Sequence, residues 1–124
     1  MAKKTILVVD DEYLILESNR EILKKAGFNV ITAVSGKEAL RKIKSQKIDL
    51  ALLDVLMPDM GGIELAKKIR QASEFRELKL AFLTIIPFSN EQRKKMKKYN
   101  IIDYIQKPFD TEELLERIGK LLKA

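Results

Sequence analysis

Short apolar runs alternate with stretches of helical period five times along this chain, and that alternation constrains the fold more than any other feature of the sequence. A strand followed each time by a helix does not return through a tight turn. It crosses over and lies parallel to its predecessor, so the pattern predicts an α/β fold with a parallel sheet covered by helices. The strands are predicted at Thr5 to Val9, Phe28 to Ala33, Asp49 to Leu53, Lys79 to Leu83 and Ile101 to Ile105. The runs ILVV and LALL in the first and third are apolar without alternation, as expected of central strands covered on both faces.

Capping signals support this parsing. Ser35 with Glu38, and Asp110 with Glu113, have the spacing of N-terminal capping boxes. Gly27 is suited to close the first helix in a left-handed conformation, and Asn100 the fourth. Helices are thus predicted over Glu12 to Ala26, Gly36 to Ser45, Gly62 to Ala72, Asn90 to Lys98 and Thr111 to Leu122.

The 124 residues suit one domain, taken as 1–124, and leave no room for a separate output module. A composition 46% hydrophobic and 34% charged belongs to a globular chain with a packed core. There is no cysteine and no histidine. Disulfides, thiolate nucleophiles, sulfur-based zinc sites and imidazole bases are therefore excluded, and any chemistry uses oxygen and amine groups. The apolar run after the basic N-terminus is too short for a signal peptide or membrane span, so a cytoplasmic location is expected. The net charge of +6 is concentrated on helix faces, notably Arg93 to Lys98, which reads first as a solvated face.

In doubly wound sheets, ligands bind beyond the carboxyl ends of the strands. Asp10, Asp11 and Glu12 follow the first strand, Asp54 the third, Thr84 the fourth, and Gln106, Lys107 and Pro108 the fifth. Singly, each has an ordinary role. The first three suit a helix N-terminus, Asp54 a turn with Pro58, Asp59, Gly61 and Gly62, Thr84 a strand end, and Lys107 the solvated surface. Their convergence on one edge is the informative feature. Like charges 4 Å apart repel by about 1 kcal/mol in water and about 4 at an effective dielectric of 20, so a carboxylate cluster calls for a cation. Lys107 offsets one charge, and an oxygen-only site selects a hard divalent ion, with magnesium suited to sharing phosphate oxygens. Such a site suits phosphoryl transfer, because a carboxylate nucleophile needs no general base.

The segments VVDDE at 8–12, LLDVLMPDMGG at 52–62, FLT at 82–84 and DYIQKPF at 103–109 resemble, in order, the signatures of response-regulator receiver domains of two-component signalling. The resemblance implies a flavodoxin-like (βα)5 fold with strand order 2-1-3-4-5. It implies that Asp54 is the phosphoacceptor, that Asp11, Asp54 and the Leu56 carbonyl bind Mg2+, and that Asp10 assists through water. Lys107 would pair with the carboxylate or phosphoryl group. Thr84 would hydrogen-bond a phosphoryl oxygen, and Tyr104 would be the switch aromatic that follows it. The residues alone favour Tyr104 as an aromatic packed on the last helix. Lys107–Pro108 would be a cis peptide. The donor would be a phosphohistidine on a histidine kinase or histidine phosphotransfer protein, and the chain would be no enzyme beyond its own phosphorylation and dephosphorylation.

Departures from the family pattern carry expectations of their own. Ile85 stands where most of the family has a small residue over the phosphorylation site, so restricted access is expected; Leu56 and Ile86 are apolar where many relatives orient attacking water, so slow hydrolysis of the acyl phosphate is expected. Asn100 and Ile101 replace the usual Gly and Ala, and the added bulk near the fourth helix bears on the coupling of Tyr104 to the output face. That face, made by helix four, strand five and helix five, combines Arg93 to Lys98 with Asp103, Glu112, Glu113 and Glu116. It suits a phosphorylation-promoted homodimer or an acidic protein target, the downstream partner being otherwise unknown.

Two other readings are weighed. A receiver-fold binding module independent of phosphate is favoured by Ile85 and disfavoured by the complete set Asp10, Asp11, Asp54, Thr84 and Lys107. An aspartyl-phosphate phosphatase wants Asp-x-Asp after the first strand, which consecutive Asp10 and Asp11 do not provide. Direct nucleic-acid binding lacks a base-reading element or aromatic platform.

Overall fold

A computed structural model describes residues 3–123. The chain forms β1 (Thr5–Val9), α1 (Tyr13–Lys25), β2 (Asn29–Ala33), α2 (Gly36–Ser45), β3 (Leu50–Leu53), α3 (Gly62–Gln71), a 3-10 turn (Ser73–Phe75), β4 (Lys79–Thr84), α4 (Asn90–Tyr99), β5 (Ile101–Gln106) and α5 (Thr111–Lys123). All strand pairs are parallel and the order is β2-β1-β3-β4-β5, as expected.

The period of two along each strand divides the core into two layers. Leu7, Val9, Ala51, Leu53 and Phe82 face Ala39 and Ile43 of α2 and Leu65, Ala66 and Ile69 of α3. Ile6, Val8, Leu50, Leu52 and Leu83 face Leu16 and Leu23 of α1 and Leu114, Ile118 and Leu121 of α5. Each fully buried Leu or Ile contributes about 1.5–3 kcal/mol. α4 differs from the other helices in having no buried residue; Met96 and Tyr99 pack against the first layer partly buried. Ile101 is buried in that layer too, beside Leu80, Phe82 and Tyr104, so the bulk noted at this position is absorbed by the core.

Differences from the predicted boundaries have local causes. Phe28 leaves β2 because its amide bonds the Leu23 carbonyl at 3.1 Å, while Gly27, at φ +98°, bonds Lys24; together they terminate α1 in a Schellman motif. Asp49 precedes β3, its carboxylate accepting the Thr5 amide at 2.8 Å. Glu12 is the N-cap of α1 rather than its first residue. Asn100 takes the left-handed conformation expected, at φ 54°.

The capping boxes form only in part. Ser35 accepts the Glu38 amide at 3.1 Å, but the Glu38 carboxylate returns to Val34 rather than to Ser35. Asp110 accepts the amide of Glu112, at 3.3 Å, not that of Glu113. The cap of α4, Ser89, accepts the Gln92 amide at 3.2 Å. Its Ser-x-x-Gln spacing is the sequence signal of this cap.

Candidate functional site

The sheet reverses direction of growth between β1 and β3, and the crevice at their carboxyl ends holds the acidic residues. β1 delivers Asp10, whose amide bonds Ala33, and β3 delivers Asp54, whose amide bonds Val9 at 3.0 Å. Both side chains are buried, with Asp10 2% and Asp54 6% exposed, while Asp11 is exposed. Oxygens of Asp10, Asp11 and Asp54 all lie within 4.8 Å of one another.

β5 is held to β4 so that the Lys107 amide bonds the Thr84 carbonyl at 2.8 Å, and the next peptide, Lys107–Pro108, is cis as the resemblance implied. The Lys107 ammonium reaches Asp10 at 2.6 Å and Asp54 at 3.7 Å. Both carboxylates are within ion-pair distance, and the shorter contact is to Asp10. The other Asp10 oxygen accepts the Glu12 amide at 3.0 Å, and Asp54 accepts the Leu56 amide at 3.1 Å. Burial raises the Asp54 pKa above its ordinary value and Asp10 adds to the effect, while the Thr84 hydroxyl, Lys107 and the Leu56 amide oppose it. One ammonium facing three carboxylates leaves negative charge to be compensated. An oxygen-only donor set of this kind fits a hard divalent cation.

The loop after β3 returns to α3 in very little space. The Gly62 amide bonds the Val55 carbonyl at 3.0 Å, and a Cβ on Gly62 would meet the Asp54 carbonyl oxygen at 2.3 Å. Gly61 and Gly62 thus hold the backbone of Asp54 against α3. The turn role weighed for these glycines and the site role of Asp54 are compatible.

Thr84 is fully buried at the end of β4. Tyr104, in register with Phe82 on β5, is 7% exposed, and its hydroxyl donates to the Ile86 carbonyl. Its ring meets Phe82 edge-on at 6.0 Å and Phe88 at 5.0 Å, with the Arg93 guanidinium 4.9 Å above Phe88. Burial raises the Tyr104 pKa, and the charge of Asp54 adds to it. The expected packing of Tyr104 on α5 is replaced by this Phe82–Phe88 cluster under the loop preceding α4. Leu56 and Ile85, which follow β3 and β4, are 52% and 60% exposed. Phe88 and Arg117, the latter donating to the Tyr104 carbonyl at 3.1 Å, were not singled out from sequence. Neither carries a distinctive motif.

Along the solvent face of α4, Arg93, Lys94, Lys97 and Lys98 are exposed, as a solvated face requires. The acidic partners expected on α5 and β5 are partly engaged within the chain. Arg117 lies 3.8 Å from Asp103 and 3.9 Å from Glu113, and Lys120 lies 3.4 Å from Glu116. No helix among the described residues is long and apolar enough to cross a membrane.

A doubly wound sheet with three aspartates, a lysine and a threonine at its switch point defines the receiver class of fold. The chain matches the response regulator receiver domain family over residues 6–119 and belongs to that family. It is 37% identical over 123 residues to the alkaline phosphatase synthesis transcriptional regulatory protein PhoP of Bacillus subtilis, covering 97% of this chain and 49% of the relative. It is 36% identical to the transcriptional regulatory protein CrdR of Helicobacter pylori, covering 95% and 54%. The chain thus spans about half the length of the curated relatives it matches. Among solved structures, the Vibrio cholerae chemotaxis protein CheY4 superposes with a TM-score of 0.92 at 32% identity, covering 97% of this chain and 99% of that one. The Thermotoga maritima response regulator TrrA, solved in complex with Mg2+-BeF, superposes at 0.82 with 37% identity, covering 95% and 98%.

Proposed function

We propose that residues 1–124 act as one phosphoacceptor unit in two-component signal transduction, with Asp54 as the residue charged. The observation that carries this reading is the asymmetry of the lysine: its ammonium is committed to Asp10 at 2.6 Å and stands 3.7 Å from Asp54. Asp54 is therefore the buried carboxylate less engaged by the lysine and free to act as nucleophile. An Asp54 oxygen forms a bond to phosphorus as the P–N bond of a partner phosphohistidine breaks, the electron pair leaving on the imidazole nitrogen. Lys107 and Thr84 then take the incoming oxygens. Asp10, Asp11, Asp54 and the Leu56 carbonyl would hold Mg2+, which when bound neutralises charge on the phosphoryl oxygens.

Phosphate-linked change is passed from Thr84 to Tyr104 and so to the face of α4, β5 and α5. A histidine kinase or histidine phosphotransfer protein is the donor, in the cytoplasm, and catalysis is confined to the chain's own phosphorylation and dephosphorylation. A homodimer through the basic face of α4 has fewer acidic partners available than the sequence suggests, since Asp103, Glu113 and Glu116 are already paired with Arg117 and Lys120. A phosphate-independent module is not favoured, because it gives no reason to hold the acidic cluster together. Incubation with a small acyl phosphate and Mg2+ tests the reading: a covalent phosphoryl adduct on Asp54 is expected, and its absence contradicts the proposal.

A further inference from the structure

Arg70, near the end of α3, makes an arrangement of contacts that the site does not use. Its Nε donates to the Tyr99 carbonyl at 2.8 Å and one Nη to the Asn100 carbonyl at 3.0 Å. The other Nη donates to the carbonyls of Phe75 at 2.6 Å and Arg76 at 3.1 Å. Tyr99 and Asn100 are the C-terminal residue and C-cap of α4, where helix carbonyls lack intrahelical partners and the dipole favours a cation. The rigid guanidinium fork binds that end to α3 and to the 3-10 turn at once.

The opposite end of α4 is held differently. Gln92, one turn in, donates its amide to the exposed Ser89, Arg93 lies over the Phe88 ring, and the loop before the helix is held by the Tyr104 hydroxyl on the Ile86 carbonyl. The residues of α4 that pack on the core, Met96 and Tyr99, both lie in its C-terminal half. One end is thus clamped by a fixed cation and the other rests on an aromatic whose own surroundings include the Asp54 charge.

We propose that Arg70 is the positioning residue of α4, a fixed pivot that keeps the helix's C-terminal end on α3 whatever the state of Asp54, so that movement is confined to the Ser89 end. This rests on the reading of Asp54 as phosphoacceptor. It makes Arg70, about a whole helix away from Asp54 in the chain, a determinant of the direction of the response and not of the chemistry.

The absence of cysteine allows clean spin labelling. One label is placed at Lys24 as reference and the second at either Glu91 or Lys97, all exposed. Distances are measured with and without acetyl phosphate and Mg2+, with adduct formation followed by intact mass. The pivot predicts that the Lys24–Glu91 distance shifts by roughly 2 Å on charging while Lys24–Lys97 stays constant. In R70M the adduct forms equally, but the Lys24–Lys97 distribution broadens before charging and shifts after it; R70K is intermediate and serves if R70M does not fold. The proposal is overturned if Lys97 moves as far as Glu91 in the wild-type background, if neither label moves although the adduct is present, or if the R70 variants match wild type. Should no adduct form, the phosphoacceptor reading has failed. The R70M broadening in the uncharged protein then decides the clamp on its own.

Discussion

Asp54 is the residue on which the charge balance of the site turns. With Lys107 held by Asp10, it is buried without full compensation, and its pKa is raised above the ordinary 3.8, burial being the largest cause. The folded state therefore holds this proton more firmly than the unfolded chain, and stability is lost as pH rises from the unfolded value through the raised folded one. In metal-free buffer, Asp54→Asn removes that loss, so its Tm at pH 7 should exceed that of wild type, with the gap closing as pH falls below the unfolded-state value. Thermal melts across this range check it; an equal or lower Tm at pH 7 contradicts it. Leu56 and Ile86, in turn, offer no side chain to orient attacking water. Purified phosphoprotein should retain its phosphoryl group for many minutes, measured as phosphate release, and a lifetime of seconds would count against this.

Among the elements, the loop from β3 to α3 and the helix α4 behave in opposite ways. The first has no slack: Gly62→Ala pushes a methyl into the Asp54 carbonyl and should cost roughly 1–3 kcal/mol by chemical denaturation, with slower adduct formation. The second is lightly held, and Ser89→Ala should lower global stability by no more than about 1 kcal/mol while speeding amide exchange through its first turn. These two elements also mark how far sequence reasoning reaches. Strand positions, helix positions and the residues at strand ends were legible because periodicity of two and of 3.6 is written locally, and because Asp10, Asp11, Asp54, Thr84 and Lys107 share one edge once the strands are parallel. The strand order came from family resemblance, not from periodicity. Arg70 was not legible, since its partners are backbone carbonyls up to 30 residues distant, and a carbonyl leaves no mark in a sequence. The preference of Lys107 for Asp10 was hidden for a related reason: it depends on side-chain distances that differ by about one ångström within a single crevice.

For the molecule as a whole, Ile86 links the two ends of the site: its amide donates to the Thr84 hydroxyl at 3.5 Å and its carbonyl accepts the Tyr104 hydroxyl, while the Tyr104 ring meets Phe88 ahead of α4. Much of the positive charge lies on exposed helix surface, and Arg117 and Lys120 already face Asp103 and Glu116 within the chain. Phosphorylation should consequently leave the sedimentation coefficient at monomer values up to high protein concentration, salt having little effect; a salt-sensitive dimer on phosphorylation would restore the interchain pairing. The most direct measurement of the central claim is intact mass after incubation with acetyl phosphate, with and without Mg2+, for wild type and Asp54→Asn. The account predicts one phosphoryl group on wild type, dependent on Mg2+ and absent from the variant. An adduct that survives in Asp54→Asn, or none on wild type with Mg2+ present, would contradict it.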